Sequence, residues 1–324
     1  MNNADTKAKK LNFGQFYGKY GIFIILAVIF IAASVGVSGF LSRYNLMNIL
    51  LAIACTTVLA LGATFVIILG QINIAYGSEI AFIGCIACMV DVATGSVLAA
   101  FLVALVIGIV LGTLNGFIIT KFSIPAFIMT LALTEAARGG AVIVTGGNTI
   151  SGLTKSFTFL GQGYVGPIPM AVVILAIAFA IMWVVLNKTP YGRYIYAVGG
   201  NKKAAEASGI NPNKVIFKAY LIDGILTGIA GVLLMARLNS GVPGAGVSYE
   251  MDAITAVVVG GTSMAGGSGT LFGTIVGAII VGIINNVQTL MGVDSNVQKI
   301  IKGIIIVAAV IIDVVTKNSA KKAR

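Results

Sequence analysis

Four polar residues stand close together in a glycine-rich interruption of an apolar stretch: Asn73, Tyr76, Ser78 and Glu79. Their amide, phenol, hydroxyl and carboxyl groups can hydrogen-bond a polar solute or the backbone groups that an unwound segment frees. A carboxyl group at membrane depth indicates function. Glu79 could instead lie at the cytoplasmic interface, or it could stabilise the N-terminus of the third helix as an acidic residue in its first turn. The residues alone leave both interpretations open.

A second glycine-rich interruption contains Thr262 and Ser263 and shares Gly, Ala, Gly and Ser with the first at an offset of 190 residues. Asn115 and Asn285 belong to another echo at an offset of 170 residues. The echoes suggest a pseudo-repeat, although the two offsets disagree. Paired interruptions in two halves predict a transport pathway, and close packing through small residues is the alternative. The candidate pathway residues are Asn73, Tyr76, Ser78, Glu79, Asn115, Thr262 and Ser263.

Three other acidic residues are predicted to have structural rather than functional roles. Asp223 lies near the predicted cytoplasmic end of an apolar run and is expected at the interface. Glu250 and Asp252 flank the start of another run, where acidic residues suit the first turn of a helix.

The sequence contains few residues in arrangements suited to catalysis. No histidine is present, which excludes His-based acid–base catalysis and most zinc sites. Cys55, Cys85 and Cys88 lie in apolar runs and are expected to pack as small residues. Gly260–Gly269 lacks the Gly-Lys-Ser/Thr ending of a phosphate loop. We therefore expect no enzyme activity, no metal and no cofactor bound by this chain.

The elements that position these residues are predicted to be membrane helices. The chain has 324 residues, of which 58% are hydrophobic and 10% charged, whereas soluble domains carry about 25% charged residues. Its apolar runs are long and continuous rather than alternating, which disfavours a β-barrel. The sequence predicts an all-α polytopic membrane protein with about ten spans, near 21–40, 47–69, 79–94, 97–120, 122–144, 168–186, 215–236, 251–260, 271–291 and 297–315.

The distribution of basic residues predicts the orientation of these spans. With the N-terminus inside, fifteen of the 21 Lys and Arg residues fall on the cytoplasmic side, as the positive-inside rule requires. The predicted parts are a basic N-tail at 1–20, one transmembrane domain at 21–316 and a basic C-tail at 317–324, with both tails cytoplasmic. Anchoring to anionic lipid explains the net charge of +11, so no nucleic-acid partner is predicted.

A polar segment interrupts the apolar pattern at 187–214 and is predicted to be a cytoplasmic loop that meets a partner. Asn201 can cap a short helix over 202–208, and Gly209 and Pro212 can stop it. A short helix with a small-residue face suits docking into a groove of another protein. A surface loop on lipid headgroups is the alternative.

Several segments, in order, resemble the permease subunits of ribose-type ABC importers. They include Asn45–Leu50, Tyr191–Asn201, Ala204–Ile210, Tyr249–Ile254, Gly260–Gly267 and Asn285-Asn286. The likeness covers nearly the whole chain. In the break at 70–78, Asn73 replaces the family's usual Asp and Tyr76 its usual Val.

This resemblance implies import of a sugar, ribose or a related pentose or hexose, delivered by an external solute-binding protein. It also implies a second permease copy or homologue and a cytoplasmic subunit that binds and hydrolyses ATP. It makes the segment at 187–214 the coupling loop. The residues it assigns to coupling with that ATPase are Gly200, Asn201, Ala204, Ala205, Glu206, Ser208 and Gly209. The alternative hypothesis is a stand-alone proton-coupled transporter that uses Glu79 or Asp223 as the proton carrier.

Overall fold

The structure is a computed structural model that describes the backbone of residues 13–322 and the side chains of residues 21–311. Most of the described chain is helical. The helices are α1 Phe13–Gly36, α2 Arg43–Ile68, α3 Tyr76–Thr94, α4 Val97–Phe122, α5 Ala126–Thr145, α6 Lys155–Gln162, α7 Met170–Lys188, α8 Pro190–Gly200, α9 Lys202–Ala207, α10 Pro212–Leu238, α11 Tyr249–Val259, α12 Leu271–Leu290 and α13 Ser295–Lys322.

Each of the ten predicted apolar spans coincides with a helix, which confirms an all-α polytopic membrane protein. Seven helices within the described residues, α2, α3, α4, α5, α7, α10 and α12, are long and apolar enough to cross a membrane. The apolar part of α1 is shorter, at Gly21–Gly36, and α11 has 11 residues. The number of about ten spans therefore stays a prediction.

Side-chain caps explain where many helices begin. A Ser, Thr or Asn oxygen accepts a hydrogen bond from a backbone N–H group in the first turn, which satisfies a donor that the helix itself leaves free. The capping residues are Ser42, Ser96, Thr154, Thr189, Asn201, Asn211 and Thr270.

Two helices, α2 and α10, form the centre of the bundle and are buried along most of their length. α2 contacts α7, α10, α11 and α12, while α10 also contacts α3 and α4. Glycine allows α4 and α10 to approach closely: a Cβ atom at Gly108 would meet the carbonyl oxygen of Gly224, and one at Gly224 would meet that of Gly108. Within a membrane the hydrophobic effect does not drive helices together, and small residues at such crossings allow the helices to associate by close packing.

The two glycine-rich interruptions meet at one end of the bundle. The backbone N–H group of Gly267 donates to the carbonyl oxygen of Ile68, at 2.8 Å, where α2 ends. Gly199 of α8 fits against Ile68 as well, since a Cβ atom there would collide with its carbonyl oxygen. Both breaks and the polar segment are thus joined by backbone contacts. Whether the breaks derive from a pseudo-repeat stays a prediction.

Some elements depart from the sequence-based prediction. The polar segment at 187–214 contains two helices, α8 and α9, rather than a loop with one helix. Between α5 and α7 lie α6 and a two-stranded antiparallel hairpin, β1 Tyr164–Val165 and β2 Ile168–Pro169. Helix α1 begins at Phe13 and α13 continues to Lys322, so helices extend into both predicted tails. The remaining tail residues, 1–12 and 323–324, lie outside the described residues.

Candidate functional site

A buried network of amide, phenol and carboxyl groups joins the first break to α3, α4 and α10. The Asn73 amide nitrogen donates to Asp223 Oδ2 at 3.0 Å and to Glu79 Oε2 at 3.4 Å. Tyr76 Oη donates to Asp223 Oδ1 at 2.8 Å, and Asn115 Nδ2 donates to Glu79 Oε1 at 3.3 Å. Each of the five side chains is at most 3% exposed. The sequence predicted four members of this network, three of them in the first break and Asn115 in a separate apolar run.

The first break folds locally so that Asn73 can serve this network. Asn73 Oδ1 accepts a hydrogen bond from the backbone N–H group of Ala75 at 2.9 Å, which closes a tight turn just before α3 begins. This turn fixes the carbonyl end of the side chain and directs its amide nitrogen towards the two carboxyl groups. Asn73 is therefore both a backbone partner and a bridge between acids.

Glu79 lies inside the protein, in the first turn of α3. The prediction that Glu79 is an acidic residue in the first turn of the third helix is therefore confirmed. The interfacial prediction for Asp223 is wrong, because its side chain is 1% exposed and lies among Asn73, Tyr76 and the glycine surface of α2 at Gly62. Asp223 is the one member of the network that the predicted list of pathway residues omits. The sequence does indicate a role for it, because Asp223 is an acidic residue eleven positions inside an apolar helix.

The network leaves specific hydrogen-bonding capacity unused. Asn115 Oδ1 and Tyr220 Oη are buried and have no hydrogen-bond partner among the described residues. Neither Glu79 nor Asp223 forms an ion pair with a described side chain. The network therefore combines free acceptor and donor positions with two acidic groups, a composition suited to hydroxyl groups rather than to anions.

Three other predicted pathway residues lie outside this network of hydrogen bonds. Ser78 is buried in the first turn of α3. Thr262 and Ser263 are buried in the second break, where Ser263 Oγ accepts from the backbone of Ala265 at 3.2 Å. The structure thus places these residues in the interior without bringing them to Asn73.

Asp252 has a role that the capping interpretation did not include. It lies in the first turn of α11, as predicted, but its carboxylate forms an ion pair with Lys302 of α13, with a distance of 2.8 Å between Nζ and Oδ1. Both side chains are mostly buried. Pairing of this kind is how charged groups are accommodated between membrane helices.

A cleft of about 390 Å³ opens beside the first break, at the end of the bundle where α9 lies. Gly70, Gln71 and Ile72 line it, so it begins directly before Asn73 in the chain. Lys202 at the start of α9 and Thr120 near the end of α4 contribute polar groups. The buried network therefore lies next to a cleft that opens at the polar end of the bundle.

The polar segment is anchored to the bundle through α8. Tyr191 Oη donates to the carbonyl oxygen of Val215 at 3.0 Å, and Tyr196 Oη donates to that of Gly269 at 2.8 Å. α9 then projects from this base, with Asn201 Oδ1 accepting from the Ala204 N–H group at 3.0 Å. Gly209 has a φ of +82°, which ends the turn as predicted.

Six of the seven predicted coupling residues are exposed, namely Gly200, Asn201, Ala204, Glu206, Ser208 and Gly209. Ala205 is the exception, because it is 5% exposed and packs into the hydrophobic core of its own chain. The alanines therefore do not form one docking face: Ala204 faces outward, and Ala205 holds α9 to the bundle.

Comparison with known proteins places this geometry in a family. The model of a family described as the permease component of the branched-chain amino acid transport system matches residues 45–310. The chain is 41% identical to the ribose import permease of Bacillus subtilis, with 95% of this chain and 96% of that protein covered. It is 33% identical to the D-allose transport permease of Escherichia coli, with 95% of each chain covered. It is also 33% identical to the xylose transport permease of Haemophilus influenzae, with 93% of this chain and 97% of that protein covered.

No solved structure matches the chain. The family match spans most of the described helices, including the buried network, both breaks and the α8–α9 segment. The chain therefore belongs to this family of membrane permease components, and it is of the ribose import permease type.

Proposed function

We propose that this chain is the membrane-spanning permease subunit of an ATP-driven importer of a neutral sugar, ribose or a related pentose or hexose. The observation that carries the proposal is its similarity, over almost its whole length, to permeases named for ribose, allose and xylose. The buried network supports a neutral polar solute, because amide and phenol groups both donate and accept hydrogen bonds, as sugar hydroxyl groups do.

The proposal includes the partners that such a subunit requires. A cytoplasmic ATP-binding subunit supplies the energy, an external solute-binding protein delivers the sugar, and a second copy or homologue of this chain completes the transmembrane unit. The chain itself catalyses no reaction and binds neither metal nor cofactor. It lies in the cell membrane as a multi-pass protein, contacts anionic lipid through its basic ends and has both termini in the cytoplasm.

The backbone contacts at the polar end suggest how ATP hydrolysis reaches the solute path. Gly199 of α8 contacts Ile68, where α2 ends, and Gly267 of the second break bonds the same residue. A displacement of α9 by an ATPase would therefore move both breaks together. Since Asn73 lies within the first break, the movement would open or close the network of Asn73, Tyr76 and Glu79 that we place on the path.

Uptake in membrane vesicles tests this function. Vesicles containing the chain, its ATPase and its solute-binding protein are expected to accumulate labelled ribose, or a related pentose or hexose, when ATP is supplied to the cytoplasmic face. Collapse of the proton gradient is expected to leave the initial rate unchanged. Uptake that follows the proton gradient and ignores ATP would instead support the stand-alone transporter with Glu79 or Asp223 as proton carrier. The family assignment favours the first outcome.

The coupling role of α9 predicts the effect of a bulky substitution on its outer surface. Ala204→Trp adds an indole group to an exposed position, so the permease should fold while losing most of its ATPase partner on co-purification and most of its uptake. Ser156→Trp makes the same change on exposed α6, which contacts the opposite end of α10, and should still co-purify with the ATPase. Normal ATPase binding and uptake by Ala204→Trp would contradict the assignment.

A further inference from the structure

A half-open cleft of about 600 Å³ lies between α2 and α12. It occupies the half of α2 that begins at Arg43, whereas Ile68 at the other end of α2 contacts the α8–α9 segment. In the proposed orientation, the cleft therefore faces the outside of the cell. It extends along α2 from Asn45 to Thr56, which is roughly 16 Å at the rise of an α-helix.

Two helical surfaces carry polar side chains into this cleft. On α2 they are Asn45, Asn48 and Thr56, and on α12 they are Asn285, Asn286 and Thr289. Spacings of three, four, seven or eight residues place side chains on one face of a helix. The faces are opposed, because both line the same cavity. A polar face of this extent in an apolar helix indicates contact with water or a polar ligand rather than with lipid.

Two of the four amides are committed to the fold. Asn286 Nδ2 donates to Asn45 Oδ1 at 2.7 Å, and Asn45 Nδ2 donates to Asn286 Oδ1 at 3.0 Å. Asn45 Nδ2 also donates to the carbonyl oxygen of Phe40 at 2.9 Å. This reciprocal pair joins α2 to α12 at the mouth of the cleft and leaves its two amides with little capacity for a ligand.

The other two amides are free. Among the described residues, the side chains of Asn48 and Asn285 have no hydrogen-bond partner, and Asn285 Oδ1 is buried. An unsatisfied buried acceptor costs free energy unless a ligand or water fills it. Asn48 and Asn285 thus offer to a molecule in the cleft side-chain amide groups that no described residue uses. Arg237 of α10 adds a donor group at the wall.

We infer that this amide cleft is the site where the permease receives a neutral sugar from the external side, with Asn48 and Asn285 as the contacting residues. The inference rests on the proposed function and adds a substrate contact site that is distinct from the buried network at Asn73. Amides suit sugar hydroxyls because both kinds of group donate and accept. The described lining contains no carboxylate, so a metal cation is poorly matched, and its single cation, Arg237, is compatible with hydroxyl oxygens.

Substitution by leucine, which is close in size to asparagine, tests the contacts. In vesicles with the complete importer and ribose-loaded binding protein, Asn48→Leu and Asn285→Leu are each expected to lower ATP-dependent ribose uptake roughly tenfold, equivalent to about 1.4 kcal/mol. Co-purification with the ATPase should be unchanged. Gln288→Leu is the matched control, because Gln288 is also a buried, unsatisfied amide on α12 but does not line the cleft. Its uptake should stay near the wild-type rate.

Thiol labelling provides a readout that does not depend on transport. Asn285→Cys is introduced into a chain in which Cys55, Cys85 and Cys88 are replaced by Ala, and a membrane-impermeant thiol reagent is added from outside. We expect labelling of the introduced thiol in the assembled importer and its protection by neutral pentoses or hexoses at millimolar concentration. Absence of labelling would show that lipid or another chain covers the cleft, and protection by ribose 5-phosphate but not by ribose would show an anion site. Either result overturns the inference.

Failure of this inference is distinguishable from failure of the proposed function. Wild-type vesicles that import no sugar would contradict the function. Wild-type uptake together with normal rates in both leucine variants and no sugar protection would overturn the cleft assignment alone.

Discussion

Asn73→Leu is expected to abolish sugar uptake while the protein still assembles with its ATPase partner. The Asn73 amide is the group that donates to both Asp223 and Glu79, and no other described side chain bridges them. Leucine fills a similar volume but leaves two buried carboxyl groups each short of a donor and removes the acceptor for the Ala75 N–H group. Each unsatisfied buried group costs about 1–3 kcal/mol, so the first break should lose its fixed geometry. Initial uptake rates should fall more than about a hundredfold.

A double substitution separates the bridging role from a general effect of mutation. Asn73→Asp restores the residue usual in the resembling family, but it places a third carboxyl group beside Asp223 and Glu79 and should impair uptake severely. Adding Glu79→Gln returns the network to two carboxyl groups and two amides, and uptake should recover substantially. Such coupling between neighbours is what a mutant cycle measures. If the effects of Asn73→Asp and Glu79→Gln on uptake were additive, Asn73 would not bridge the carboxyl groups. Wild-type transport by Asn73→Leu would likewise show that this residue only packs.

Gly224→Val is expected to disrupt the contact between α4 and α10 and to destabilise the whole bundle. A Cβ atom at Gly224 would meet the carbonyl oxygen of Gly108 and lie 2.9 Å from the Gly112 Cα atom. These are backbone atoms, so the two helices must separate, which also displaces the adjacent Asp223 from Asn73. Overpacking typically costs 1–3 kcal/mol, and we expect about 3 kcal/mol here. The melting temperature of the purified protein should drop by roughly 10 °C.

Gly139→Val is the control for this substitution. Gly139 also lies within a predicted membrane helix, α5, but a Cβ atom there has no neighbour within 4 Å. Its melting temperature should therefore stay close to that of the wild-type protein. Equal melting temperatures for the two valine variants would mean that the close α4–α10 approach does not hold the bundle together.

The local elements of this protein could be read from the sequence because their signals are local. Continuous apolar runs gave the positions of ten helices, since a membrane helix must satisfy its own backbone and present apolar side chains along its length. The short helix α9 was predictable for a similar reason: Asn201 caps it and Gly209 ends it within a few residues. Short, weakly apolar elements such as α6 and the β1–β2 hairpin carry no such periodic signal and were missed.

The arrangement of functional groups depended on contacts between distant segments. Asp223 lies 150 positions from Asn73, and Asn286 lies 241 positions from Asn45, yet each pair is hydrogen-bonded. Hydropathy cannot distinguish a residue at an interface from one facing a neighbouring helix, so it placed Asp223 at the membrane surface. Likewise, only the packing of α9 against the core shows that Ala205 is buried while Ala204 is exposed.

The sequence by itself determined the class of protein, the ten apolar helices and the short helix α9, because composition and local capping control those properties. The tertiary structure decided which polar groups share a site. Close approach at Gly108 and Gly224 brings α4 against α10 and so sets Asn115 and Asp223 in one network. It also decided that the amides of Asn48 and Asn285 stay free while those of Asn45 and Asn286 pair, because helix rotation and spacing fix which side chains can reach each other.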